Sequence, residues 1–158
     1  MGIPLSPPTP NGAVPQTGTG ITFPATQNAS SNANTLDDYE EGTWTPTNAG
    51  DATGTISNAS GEYVKVGRMV YIRGYAFVTA NFTGNSLGGL PFTPSGNTAF
   101  TSLGASNIVL NSSASSLCCA INIDTQAINF FTSNAGGAGG LNTTNNVIRI
   151  SLVYQASA

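Results

Sequence analysis

Short runs of alternating residues, interrupted by Gly, Asn, Ser and Pro, constrain the fold of this chain more than any other feature of its sequence. Residues 69–80 alternate between aliphatic or small side chains and Tyr, Arg or Phe, and the shorter run 62–66 precedes them across Gly67-Arg68. Two period-two runs on either side of a two-residue turn candidate predict a β-hairpin. No segment of ten or more residues has helical periodicity, so the sequence predicts an all-β fold.

Further strand candidates are separated by turn-forming residues, and they are residues 98–103, 107–110, 117–124, 127–133 and 147–154. The glycine-rich stretch 134–146 is predicted to be an exposed loop. About eight short strands at this spacing are typical of a β-sandwich or a jelly-roll-like domain. Because both faces of the run 69–80 are largely apolar or aromatic, we expect it to lie inside a sandwich or between subunits.

Charged residues are scarce, and this excludes several classes of function. Only 7% of the 158 residues are charged, with 4 basic residues and no His, against about 25% charged residues in an average globular domain. So few basic residues cannot form a nucleic-acid-binding surface. The apolar runs are too short to span a bilayer, so we expect no membrane insertion. The first residues lack the order of a signal peptide, so we expect no export by the general secretory route. The neighbouring Cys118 and Cys119 are expected to be reduced, near-buried thiols, as in a cytoplasm.

The first 36 residues differ in composition from the rest of the chain. They contain six prolines and no charged side chain, and such a segment cannot build a core by itself. We therefore divide the chain into an extended, Pro-rich attachment arm and linker at residues 1–36 and a β domain at residues 37–158. Uncharged side chains with fixed backbone angles suit docking onto another chain, and the candidate anchoring residues are Ile3, Pro4, Leu5, Pro7, Pro8 and Val14.

Most of the acidic residues follow directly after this arm. Two carboxyl groups among Asp37, Asp38, Glu40 and Glu41 could form a glycosidase pair, but their near-consecutive positions favour a solvated or salt-bridged cluster. We expect these carboxylates to lie against the basic stretch that follows, forming a cluster of Asp37, Asp38, Glu40, Glu41, Arg68 and Arg73 in which Lys65 is a further partner.

No residue pair in the sequence has the pattern of a reactive centre. A Ser or Cys nucleophile lacks its usual His base, and the acidic residues lack the spacing of a calcium-binding loop. We therefore expect no catalytic residue, no cofactor and no metal ligand, although a divalent ion on an oligomer axis stays open.

Exposed aromatic and amide side chains are the remaining candidates for ligand contact. Trp44, Tyr39 and Tyr63 have rings suited to stacking on sugars, but the position of Trp44 at the start of a strand favours a core role. The candidate receptor contacts are Asn81, Phe82, Asn85, Asn134 and Asn145.

Three segments carry a resemblance to a known family. They are GITFPATQNASSNANTLDDYEEGTWTP at residues 20–46, EYVKVGRMVYIRG at residues 62–74 and LPF at residues 90–92. In this order they resemble a module found in tail fibre and related tail proteins of tailed bacteriophages. The resemblance implies a fibre tip, which in that family is typically a homotrimeric β structure bearing host-recognition loops. A long shaft does not precede the module here, so we expect the first 20 residues to act as the anchor.

The resemblance and the composition together predict a structural virion protein rather than an enzyme. We expect a homotrimeric short tail fibre, assembled in the bacterial cytoplasm, that docks on tail or baseplate proteins through residues 1–36. Its β domain is expected to contact a host cell-surface glycan or protein. A capsid decoration or head fibre protein of the same fold is the alternative, and a polysaccharide-cleaving tail enzyme is a less favoured one.

Overall fold

The protein is an all-β sandwich in the computed structural model, which describes residues 14–16, 20–26, 30–32, 34–50, 52–96, 117–122, 126–132 and 146–157. These residues contain ten strands and no helix. The strands are β1 (Val14–Gln16), β2 (Gly20–Thr22), β3 (Tyr39–Trp44), β4 (Thr47–Asn48), β5 (Thr53–Val66), β6 (Met69–Thr83), β7 (Ser86–Gly88), β8 (Leu117–Asn122), β9 (Ala127–Thr132) and β10 (Asn146–Gln155).

Two four-stranded antiparallel sheets form the sandwich. The first sheet has the order β10-β6-β5-β3 and the second has the order β4-β7-β9-β8. A separate two-stranded sheet pairs β1 with β2, within the predicted arm. The sequence-based prediction of a β-sandwich is therefore confirmed.

The predicted hairpin is the centre of the first sheet. Strands β5 and β6 pair directly from Val66 opposite Met69 as far as Thr53 opposite Thr83, with register shifts near the far end. Gly67 has a φ of +56° at the turn, a backbone conformation that glycine adopts without steric strain. The alternation of residues 69–80 and the turn at Gly67-Arg68 were thus correctly predicted.

Alternate residues of β6 fill the space between the two sheets. Val70, Ile72, Ala76 and Val78 are fully buried, and they belong to one apolar cluster with Phe130 of the second sheet. Strand β10 adds its own alternate residues to the same core, namely Ile148, Ile150, Leu152 and Tyr154. The period-two pattern therefore defines one buried face of the first sheet.

The other face of β6 is exposed in the single chain. Tyr71 and Tyr75 are both exposed, and they alternate with the buried residues. We expected both faces of this strand to be covered, but within the single chain only its inner face is covered.

Several predicted elements differ from the structure in their bounds or lie outside the described residues. The structure has strands at Leu117–Asn122, Ala127–Thr132 and Asn146–Gln155, close to three predicted runs. The predicted strands 98–103 and 107–110 lie outside the described residues, as does the predicted loop apart from its last residue, which begins β10. Among the described residues, no helix has the length and apolar character needed to cross a membrane.

Candidate functional site

The three segments that resemble the phage module meet at one end of the sandwich. Asp38 and Glu40 come from the first segment, Tyr63 and Lys65 from the second, and Phe92 from the third. We call these five residues the motif cluster. The pairing of β3 with β5 brings the first two segments together, because Glu40 on β3 lies directly opposite Lys65 on β5.

A buried ion pair lies at the centre of the motif cluster. The Nζ atom of Lys65 donates to Oδ2 of Asp38, and both residues are about 95% buried. The backbone carbonyl of Asp38 also accepts a hydrogen bond of 2.8 Å from the amide of Gly67 in the hairpin turn. Burial lowers the pKa of Lys65, while the carboxylate of Asp37 acts in the opposite direction. The pair therefore ties the entry of β3 to the β5–β6 hairpin.

Aromatic rings cover this ion pair. The ring of Phe92 has its centroid 5.2 Å from Nζ of Lys65, and it meets the ring of Tyr63 edge to face at a centroid distance of 5.2 Å. The hydroxyl of Tyr63 donates to Oε1 of Glu40 at 2.6 Å, and this bond is the main reason why the pKa of Tyr63 is raised to about 12. A hollow of about 460 Å³ lies beside the pair, and Ala25 of the predicted arm is among its lining residues.

Trp44 packs against the inner surface of the first sheet at a place where two neighbouring strands carry glycine. Gly61 lies opposite Trp44 on β5, and Gly74 lies opposite Gly61 on β6. A Cβ atom at Gly61 would overlap the indole ring, and one at Gly74 would lie 3.1 Å from it. The indole Nε1 donates to the carbonyl of Arg73 at 3.1 Å. Trp44 is therefore a core residue, as its position in the sequence favoured, and its ring is not available for stacking on a sugar.

The arginines of the predicted salt-bridge cluster lie elsewhere. Arg73 donates to Oε2 of Glu62 through Nε at 2.9 Å and Nη2 at 2.5 Å, on the exposed face of the sheet. The reason is register, since Arg73 lies directly opposite Glu62 in the hairpin. Arg68 donates to the carbonyl of Ala156 at 3.1 Å and to Oγ of Ser95 at 3.3 Å. The expected cluster is thus corrected: Lys65 is the basic partner of the acidic segment, and these two arginines are not.

The remaining acidic residues of that segment have local partners. Glu41 accepts a hydrogen bond from the hydroxyl of Tyr39, and Oδ2 of Asp37 accepts one of 2.7 Å from the amide of Ser30. The segment therefore connects the predicted linker to the sheet. The described residues contain no group of three or more His, Cys, Asp or Glu side chains placed to hold a metal ion.

The outward face of the first sheet carries an apolar area beside the hairpin turn. Its members come from four neighbouring strands, and they are Tyr39 (39% exposed), Val66 (43%), Met69 (51%), Tyr71 (42%) and Val153 (43%). The register places Val66, Met69 and Tyr39 in one row and Tyr71 and Val153 in the next. We call these five residues the apolar end of the outer face. Contiguous exposed apolar side chains of this kind mark interaction surfaces.

A shallow hollow follows on the same face, two residues farther from the turn. Its volume is about 360 Å³, and its lining includes Glu62, Arg73, Tyr75 and Arg149. These four side chains are exposed, whereas Gly61, Gly74 and Ile150 lie between them in the lining as buried or half-buried residues. We call this feature the arginine hollow. No pattern in the sequence predicts this hollow, because the pairing of Arg149 with Tyr75 joins residues 74 positions apart.

Most of the predicted anchoring and receptor residues lie outside what the structure describes. This applies to Ile3, Pro4, Leu5, Pro7, Pro8, Asn134 and Asn145. Val14 is placed in β1 opposite Thr22, and Asn81 and Phe82 belong to β6, with only their backbone described. Asn85 is half-buried and interacts within the fold, since its carbonyl accepts from the amide of Phe130 at 2.7 Å and its Oδ1 accepts from Oγ of Ser86 at 2.9 Å.

Cys119 is buried on β8, and the side chain of Cys118 lies outside the described residues. Comparisons of the chain with protein-family models, with curated proteins and with solved structures found no match.

Proposed function

We propose that this protein is a structural virion component of a tailed bacteriophage, a short tail fibre that attaches to the host surface through its β domain. Residues 1–36 anchor it to tail or baseplate proteins. The resemblance of three sequence segments to phage tail modules supports the proposal. So does their meeting in the motif cluster, because segments that are far apart in sequence but in contact in space are typical of one folded module.

The apolar end of the outer face is the observation that carries the proposal. In an isolated chain 39–51% of each of these residues is in contact with water, and burying that remaining part would contribute on the order of 1 kcal/mol per side chain. A homotrimer in which this surface lies between subunits would remove the apolar surface from water, and three copies would multiply weak contacts with the host.

The acidic residues support an adhesive rather than a hydrolytic role. Asp38 is paired with Lys65, and Glu40 accepts the hydroxyl proton of Tyr63 in a hydrogen bond. Inverting and retaining glycosidases instead need two carboxyl groups that face a bound sugar. These carboxylates serve the packing of the sheet.

The test is to locate the protein on intact particles. A short epitope tag at the amino terminus, visualised with antibody-gold in the electron microscope, is expected to mark the tail. A variant lacking residues 2–20 is expected to keep the circular dichroism of a β protein and to be missing from the particles. Labelling of the head would replace the tail proposal with a capsid decoration protein. If the truncated protein still assembles onto particles, residues 2–20 are not the anchor.

A further inference from the structure

We propose that the arginine hollow binds a carboxylate-bearing sugar of a host-surface polysaccharide. This inference deepens the proposed host attachment and rests on it for the source of the ligand. The hollow lies on the outer face of β5, β6 and β10.

Positive charge is concentrated at this hollow in an otherwise acidic chain. The chain has a net charge of −3 and only four basic residues, yet two of them, Arg73 and Arg149, line this one surface feature. Glu62 neutralises one of the two arginines through its bond to Arg73. Among the residues that the structure describes, Arg149 has no acidic partner, so its guanidinium offers a free fork of donors. A carboxylate matches the planar geometry of such a fork, because two parallel hydrogen bonds form at once.

The rest of the lining suits a sugar ring. Tyr75 is the direct neighbour of Arg149 across the β6–β10 pair and of Ser60 across the β5–β6 pair. The hydroxyl of Tyr75 donates to Oδ1 of Asn58 at 3.3 Å, which restrains the ring. An exposed aromatic ring offers a surface for the apolar face of a sugar, while the hydroxyl of Ser60 and the carboxylate of Glu62 offer partners for sugar hydroxyls.

The shape of the hollow also limits the ligand. The floor of the hollow includes Gly61 and Gly74, whose Cβ positions point to Trp44 on the inner face, so the exposed side chains of Glu62, Arg73, Tyr75 and Arg149 stand around a floor of backbone. The volume of about 360 Å³ lies at the lower end of the range of about 300–1,000 Å³ that is typical of small-ligand sites. One or two rings of a chain fit such a site, and the open side lets the polymer continue in both directions.

The position of the hollow is compatible with the proposed oligomer. The apolar end lies beside the turn at Gly67, and the hollow begins in the next row, where Arg73 pairs with Glu62. If the subunits contact one another through the apolar end, the hollow therefore lies at the polar rim of that contact.

The experiment compares acidic sugars with their neutral methyl esters. The full-length protein is titrated with oligosaccharides of galacturonate, glucuronate and N-acetylneuraminate, each beside its methyl ester, and binding is followed by ¹H–¹⁵N chemical shifts. We expect at least one acid to bind, with shifts at Tyr75 and Arg149, and its ester to bind about tenfold more weakly, because the charged hydrogen bonds are lost.

Variants of single arginines then test the site. Arg149→Gln is expected to weaken binding of the acid about tenfold and to leave binding of the ester unchanged, and Arg149→Lys is expected to retain part of the affinity. Arg68→Gln removes the same charge far from the hollow and is the matched control. Thermal melts of each variant confirm that the domain is folded.

Three results would overturn the proposal. They are no binding of any of the three acids, equal losses for Arg149→Gln and Arg68→Gln, or equally tight binding of a hexaglutamate peptide, which would assign the hollow to acidic protein segments. Each of these leaves the labelling of particles unaffected, so failure of this inference and failure of the proposed function can be told apart.

Discussion

Lys65 shows how a single residue acquires a role that its neighbours in sequence do not reveal. It alternates with Val64 and Val66 on β5, and the sequence presents it as a surface or paired charge. In the structure its ammonium group is buried against Asp38 and lies under the ring of Phe92. Both partners are at least 27 residues away along the chain, so only the folded sheet brings the three groups together.

The buried pair of Lys65 and Asp38 leads to a first prediction, on stability. Lys65→Met or Asp38→Leu alone leaves one buried charge without its partner, and each is expected to lower the free energy of unfolding by about 3–5 kcal/mol. The double variant removes both charges and is expected to recover most of this loss. Urea unfolding of the four proteins measures the coupling.

The exposed pair of Glu62 and Arg73 provides the control for this cycle. Glu62→Gln is expected to change stability very little, because solvent screens the pair. Strictly additive losses in the double variant would show that Lys65 and Asp38 do not depend on each other.

Tyr63 supplies the second prediction, on pH dependence. Its folded-state pKa is raised to about 12, against about 10 in an unfolded chain. Between these values the folded state holds a proton that the unfolded state has lost, so the contribution of Tyr63 to stability is complete below pH 10 and is lost as the pH rises towards 12. Burial also raises the pKa of Tyr154, so tyrosinate absorbance at 295 nm is expected to show two late-titrating groups, of which Tyr63→Phe removes one.

The same titration identifies the cause of the shift. Glu40→Gln removes the carboxylate that accepts from Tyr63, and the pKa of the tyrosine is expected to move back towards 10. Glu62→Gln removes a carboxylate outside the motif cluster, and it is expected to leave the pKa of Tyr63 at its raised value. An unchanged titration in Glu40→Gln would mean that burial, and not this hydrogen bond, holds the proton.

At the scale of elements, the sequence predicts those structures that are determined by residues close together along the chain. The β5–β6 hairpin follows from alternation and a glycine turn, and both signals lie within a few residues of each other. The partner of Arg73 was not predicted from the sequence, because it is set by the register of the hairpin, which places Glu62 directly opposite Arg73. The arginine hollow needs the pairing of β6 with β10, which no local pattern encodes.

The packing of β3 onto the hairpin gives the third prediction. Gly61→Ala places a methyl group into the indole ring of Trp44, and the resulting overpacking is expected to cost about 1–3 kcal/mol of unfolding free energy. Gly96→Ala is the matched control, because a Cβ there meets nothing within 4 Å. Chemical denaturation with tryptophan fluorescence measures both variants, since Trp44 is the only tryptophan. Equal stability of the two would show that β3 shifts to accommodate the methyl group at no cost.

At the scale of the whole molecule, the two faces of the first sheet differ in how well they are covered. Its inner face is closed by the second sheet, whereas the apolar end of its outer face remains in contact with water in a single chain. A chain with only 7% charged residues also has little electrostatic repulsion to keep copies apart. Both features favour self-association, and neither depends on the resemblance to phage proteins.

The fourth prediction is therefore a change of mass caused by two surface substitutions. Light scattering of the full-length protein at micromolar concentration is expected to give the mass of a trimer. Tyr71→Ser together with Val153→Ser is expected to give a monomer with the same β-type circular dichroism. Because Tyr71 and Val153 are 42% and 43% exposed in the single chain, each substitution removes interface burial worth on the order of 1 kcal/mol, and it does so in all three copies. Leu36→Ser removes a side chain that is 53% exposed but lies outside the sheet, so it is expected to leave the trimer intact. A monomeric parent protein, or dissociation by Leu36→Ser as well, would show that the apolar end is not the surface that joins the chains.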